Sequence, residues 1–203
     1  MVVQNDKYKI RGYHGTLLER AKKILAGNYK IGHKRNDHWL GQGVYFFRED
    51  YEQARSWTIP IMRRNQKDGA VLITTFSIDS DAVMDLDSRK GLSDFVKLKE
   101  RYHEFCIKNK IEIVANENIL RCAICDEIPK EIKVILRTFQ GNAWFDQSLE
   151  EVDLSMHGKQ VCVRDVGILN TKQTNIKGIV YYNDILRKRK YKPKKEFSLE
   201  KSD

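Results

Sequence analysis

The sequence predicts an α+β domain, and three observations carry that expectation. Short β-branched or alternating runs are interspersed with segments of helical periodicity along the whole chain. No internal repeat and no Pro/Gly/Ser-rich linker divides it. The 203 residues, 41% of them hydrophobic, suit one packed domain and are too apolar for a disordered chain.

Residues 7–13 read as a strand ending at His14-Gly15. Thr16 is placed to cap the following helix, with Glu19 where a capping box requires it. Leu17, Leu18, Ala21, Ile24 and Leu25 repeat at helical spacing, and Gly27-Asn28 stops the helix. Residues 29–38 are polar and basic and read as a loop over a pocket. Residues 43–47 are strand-like. Asp50 opens a second helix that ends near Pro60 or a turn later. Residues 70–78 form the clearest strand, and 79–87 an acidic loop. Helices are expected over 92–108 and 116–128, strands over 131–139, 159–164 and 176–182, and an irregular connection over 141–157. The domain is expected to span 1–186, followed by a basic tail over 187–203.

Composition narrows the function. No apolar run approaches the ~20 residues of a membrane span. The first six residues lack the features of a signal peptide, so a cytoplasmic location and no membrane partner are expected. Net charge is +9, and the run from Arg187 to Lys195 holds seven positive residues; without them the charge is +2. Such a run suits either a phosphate backbone or a solvated tail. Cys122 and Cys125 form a single C-x-x-C on a helix face. With no second pair, it reads as two buried small residues rather than a zinc site, and no metal is expected. P-loop, H-E-x-x-H and nucleophile-elbow motifs are missing from the sequence.

Chemistry concentrates in two stretches. Tyr13-His14-Gly15-Thr16 places an imidazole, an open backbone and a hydroxyl at a strand end. A glycine N–H and C=O match the acceptor and donor of a primary carboxamide. Trp39-Leu40-Gly41-Gln42-Gly43-Val44-Tyr45-Phe46 then supplies aromatic rings. Alone, each also suits a turn with core aromatics. Together, about thirty residues apart with a helix between, they resemble the H-G-S/T and G-x-G-[IV]-Y-F motifs of ADP-ribosyltransferases. The class is that of the histidine–tyrosine–glutamate enzymes, which includes poly(ADP-ribose) polymerases and diphtheria-like toxins. Ala54 and Trp57 also stand where such proteins often place an alanine and an aromatic.

The resemblance implies a split β-core with surrounding helices and NAD as co-substrate. It implies catalytic roles for His14, Tyr45 and Gln160, and cofactor contacts from Gly15, Thr16, Gly43, Phe46 and Trp39. The class needs a glutamate on a later strand to bond the nicotinamide ribose. Gln160, in His157-Gly158-Lys159-Gln160-Val161-Cys162-Val163-Arg164, occupies that kind of position; Lys177 or Asn175 is the alternative. Glutamine keeps the hydrogen bond and gives up the charge. Single ADP-ribose transfer is therefore expected rather than chain elongation, and an inert binding descendant is the rival. The resemblance further implies an intracellular effector of toxin–antitoxin or anti-phage type. Its acceptor would be a nucleic acid, RNA above all, or a protein, with an acidic antitoxin as a further partner. Arg137 fits a phosphate contact or a structural pair, and His33, Lys34, Arg35 and His38 a phosphate-contacting or solvated lid.

Overall fold

A computed structural model describes residues 6–139 and 158–190, with side chains to residue 186. The expected connection over 141–157 and the tail beyond 190 lie outside the described residues. The seven strands are β1 (Lys7–Leu17), β2 (Val44–Arg48), β3 (Gly69–Asp79), β4 (Val83–Asp85), β5 (Val134–Thr138), β6 (Lys159–Val163) and β7 (Thr174–Val180). They form one sheet in the order β4-β5-β6-β2-β1-β3-β7, antiparallel except for β4 against β5. The helices are α1 (Leu18–Ala26), α2 (Tyr51–Asn65), α3 (Arg89–Lys108), α4 (Glu117–Asp126) and α5 (Tyr182–Lys190). The α+β expectation holds, and among the described residues no helix is long and apolar enough to cross a membrane.

The sheet has a weak middle. β1 pairs with β3 along its whole length, from Lys7↔Asp79 to Leu17↔Gly69. Its pairing with β2 is confined to Gly12↔Arg48 and Tyr13↔Phe47. Beyond that point β2 continues with β6 instead, through Val44↔Val163. Two half-sheets, β7-β3-β1 and β2-β6-β5-β4, therefore meet at a two-pair joint.

Both faces of the sheet are covered. Ile10, Phe46, Leu72, Phe76, Leu136 and Val161 form one core with Ala21 of α1 and Tyr29. On the opposite face, Tyr13, Phe47 and Val71 pack with Ala54 of α2. Farther along that face, Ile135 and Cys162 pack with Leu98 of α3 and with Ile124 and Cys125 of α4.

Local chemistry explains most boundaries. Asp50 caps α2, its carboxylate accepting from the Gln53 N–H at 2.9 Å. Pro60 lies inside α2, which continues to Asn65 at the cost of one backbone bond. Ser88 and Asn116 cap α3 and α4, and Gly27 closes α1.

Two expectations need correction. Thr16 is not a helix cap: β1 runs on through Leu17, which precedes α1 and makes no side-chain cap. Pairing with β3 claims those residues before helix geometry can. The acidic stretch 79–87 is not all loop, because β4 forms there by parallel pairing with β5. α5 carries the chain in helix through Lys190, into the first residues of the expected basic tail.

Replacing Asp50 by alanine removes the α2 cap. The variant is expected to lose about 1 kcal/mol of unfolding free energy in a urea titration, with an unchanged denaturant slope.

Candidate functional site

The joint between β1 and β2 positions the predicted residues. The Arg11 carbonyl accepts from the Glu49 N–H at 3.0 Å, so the peptide groups of Arg11 point towards β2. By the two-residue alternation of an extended strand, those of Gly15 point the same way. There β2 has turned to β6, so the Gly15 N–H and C=O face a wedge instead of a strand partner. Behind Gly15, α2 crosses in backbone contact: a Cβ at Gly15 would collide with the Ala54 carbonyl and the Thr58 hydroxyl. The glycine is required by this helix crossing, whatever else it serves.

His14 bridges the wedge. Its Nδ1 lies 2.8 Å from the Tyr45 carbonyl oxygen. A carbonyl only accepts, so Nδ1 carries the proton and Nε2 is left as an acceptor. The ring packs edge-on against Tyr29, with centroids 5.7 Å apart, and lies 5.6 Å from Phe46. It keeps some surface exposure, but lost hydration holds its proton affinity below the usual histidine value, opposed by the bond to Tyr45. Imidazole at this position is neutral near pH 7.

The phenol of Tyr45 is committed locally. Its hydroxyl donates to the Gly41 carbonyl at 2.6 Å and accepts from the Leu40 N–H at 2.8 Å. Burial pushes its ionisation well above the ordinary tyrosine range. Its ring is thus a neutral wall, not an acid or base. The two bonds fold the Trp39–Gly43 turn around it, with Gly41 in the left-handed region at φ 74°.

Gln160 lies on β6 opposite Phe47 of β2 and Arg137 of β5. Strand register puts it on the same face as Tyr45, whose own partner is Cys162, two residues along. It is a buried polar residue at 5% exposure.

The structure thus brings His14 to the main chain of Tyr45 and sets Gln160 one strand away. It does not gather the three side chains onto one face. His14 shares its face with Leu72, its β3 partner, and Phe46, whereas Tyr45 and Gln160 share theirs with Cys162 and Ile135.

The remaining predicted residues divide. Phe46 is buried in the core and backs His14 and Tyr29. Thr16 is buried opposite Ala70. Gly43 makes room for Cys162 and the Val163 carbonyl. Trp39 is edge-on to Trp57 at 5.9 Å and to Phe139 at 4.7 Å.

Several contributors carried no sequence signal. The 29–38 loop is clamped to α4. Asp126 accepts from the Gln42 N–H at 2.8 Å and pairs with Lys34 at 3.3 Å. Arg121 donates to the Trp39 carbonyl at 2.8 Å, and Cys122 reaches the Arg35 carbonyl. Tyr29 anchors the loop's start through a buried hydroxyl chain to Thr74 and Thr174. An open depression of about 660 Å³ is lined by the loop residues Lys34, Arg35, Asn36 and Asp37. It contains two of the expected lid residues, Lys34 and Arg35, but none of the predicted catalytic or cofactor residues, and Arg35 is already paired with Asp37.

Arg137 contacts the Leu86 carbonyl and Asp87, which is its structural reading. All four cysteines are buried free thiols. Burial pushes both Cys125 and Cys162 up to about 12, so they are protonated packing residues. Lys177 and Asn175 lie on β7, separated from β2 in the sheet order by β3 and β1.

The chain matches no protein-family model. Over 89 residues it is 29% identical to an uncharacterized protein of Methanocaldococcus jannaschii, a match that covers 44% of this chain and 38% of that protein. The chain therefore spans well under half the length of that relative.

Two predictions follow from this geometry. The unfolded imidazole of His14 takes up a proton as pH falls through about 6.5, whereas the folded one does so only at lower pH. In that window the unfolded state binds more protons, so His14 makes stability fall as pH falls, by at most ~1.4 kcal/mol per pH unit. Denaturation of wild type and His14→Asn from pH 7.5 to 5 is expected to show a shallower slope in the variant. Tyr45→Phe strips the Leu40 N–H and Gly41 C=O of their shared partner and is expected to cost about 1–3 kcal/mol by thermal unfolding.

Proposed function

We propose that the protein is an NAD-dependent mono-ADP-ribosyltransferase acting on an intracellular macromolecule, with nucleic acid the favoured acceptor. The observation that carries this reading is the wedge at the β1–β2 joint. There the main-chain donor and acceptor of Gly15 lie beside a neutral imidazole bonded to the Tyr45 main chain, with the Tyr45 ring on the other face of the sheet, all on the two motifs that resemble the transferase class. The two-pair joint is also what a split β-core of that class would require.

The residues present suit NAD as a co-substrate. The Gly15 N–H and C=O are directed away from β3 and would hold a carboxamide. The Tyr45 ring, fixed through its hydroxyl, would flank the pyridine, with Phe46 behind His14. His14 Nε2 would accept from a ribose hydroxyl, since Nδ1 is occupied. Gln160 would offer its amide to the nicotinamide ribose. NAD supplies the labile glycosidic carbon–nitrogen bond, whose electron pair leaves with nicotinamide as the acceptor forms the new bond and loses its proton.

Trp39 caps the aromatic side of this arrangement. Thr16 and Gly43 act through packing, beneath the strand and against β6. A neutral Gln160 supplies no charge to oppose positive charge developing on the ribose, so the predicted rate is modest and elongation is not expected. The same neutrality favours the rival reading of a binding module that holds NAD or ADP-ribose without turnover. The basic run from Arg187 suits RNA or an acidic antitoxin, in keeping with a toxin or defence effector in the cytoplasm.

Mass spectrometry of RNA and protein from cells expressing the chain, beside Tyr45→Ala and Gln160→Ala, tests the reading. An added ADP-ribose mass on RNA is expected with wild type and at least tenfold less with either variant. The same mass on protein alone would move the acceptor. Binding of NAD with no transferred mass would establish the module in place of the enzyme.

A further inference from the structure

Outside the wedge, Trp57 differs from the other exposed apolar side chains in belonging to a row of aromatic rings. Trp57 of α2 leaves 47% of its surface in solvent. Large aromatic rings normally bury most of their area, and an exposed one amid other rings marks a contact surface. Its neighbours form a row. Trp57 is edge-on to Phe47 at 6.0 Å and to Trp39 at 5.9 Å. Trp39 is edge-on to Phe139 at 4.7 Å. The Arg121 guanidinium lies 5.1 Å from the centre of the Phe139 ring.

Arg121 bonds only neutral groups, the Trp39 carbonyl and the Asn118 side chain, and among the described residues no carboxylate pairs with it. The row therefore runs from an uncompensated cation through three rings to Phe47, whose strand partner is Gln160.

The geometry points to a stacking site for unpaired nucleobases on the exposed ring of Trp57, with Arg121 at the other end of the row as its positive flank, which delivers a single-stranded nucleic acid to the Gln160 side of the wedge. Flat rings and a guanidinium plane are the surfaces on which successive bases stack, and a positive flank follows the phosphates. The +9 charge of the whole chain favours a polyanion over an acidic-poor protein segment. Bases in a duplex have no free faces, so the site selects single strands. The role as acceptor site rests on the transferase reading; the binding itself does not.

Fluorescence anisotropy with a short fluorescein-labelled oligouridylate, as single strand and as duplex, tests the inference on the full chain without NAD. The single strand is expected to bind more tightly than the duplex. Trp57→Ala is expected to weaken single-strand binding about tenfold or more, since stacking contributes ~1–3 kcal/mol per base. Trp57→Phe keeps a ring and is expected to retain most of the affinity. Arg121→Gln is expected to weaken binding and flatten its salt dependence, and it decides the matter should Trp57→Ala fail to fold. Unchanged binding in Trp57→Ala and Arg121→Gln, equal affinity for duplex, or no binding of the oligonucleotide overturns the site.

Nicotinamide release from NAD, measured separately with and without total cellular RNA and protein as acceptors, keeps the two ideas apart. Release without oligonucleotide binding sinks the stacking site and leaves the transferase. Oligonucleotide binding through Trp57 without release sustains the stacking site and sinks the transferase.

Discussion

The hydrogen bond between His14 and the Tyr45 main chain organises this molecule, because it closes a gap that strand pairing leaves open. β1 holds β2 through only two residue pairs. Past them the backbone groups of Gly15 and Tyr45 would face each other across an unbridged wedge. One imidazole spans it at 2.8 Å and fixes the separation of the two half-sheets. Full pairing of β1 with β3 and of β2 with β6 keeps each half rigid. The opening is therefore a built feature of the sheet and not a frayed edge.

Its surroundings are electrically quiet. His14 is held neutral by lost hydration, Tyr45 is kept protonated by burial, and Gln160 carries no charge. Burial likewise keeps Cys125 and Cys162 as thiols. Fixed charge is found in Arg121, in the Lys34–Asp126 pair and in Arg137, which lies across from Gln160 and is paired with Asp87. A site of this kind works by hydrogen-bond geometry and ring contact. On the transferase reading proposed above, the reaction would draw its driving force from the leaving group of NAD more than from protein charge.

The loop after α1 shows how such a site is held. A free basic lid would be costly to order. This loop is instead pinned at its start by the buried Tyr29 hydroxyl and at its end by Asp126 and Arg121. The Trp39–Gly43 turn is closed from inside by Tyr45. Order at the aromatic row is thus inherited from α4, an element far away in the chain.

Much of this was legible from local pattern. The α+β class, most helices and strands, and the Asp50 and Gly27 boundaries followed from periodicity and capping chemistry. These are short-range properties, written in neighbouring side chains. Thr16 misled because its capping signature is local, while the competing β3 pairing comes from residues 70 and beyond. The brief β4 strand was invisible because only a partner fifty residues away makes it a strand. The opposite faces of His14 and Tyr45, the α2 crossing behind Gly15 and the clamp from Asp126 and Arg121 belonged to the tertiary structure alone. Each depends on strand register or on contacts between distant elements, and no window of sequence contains both partners.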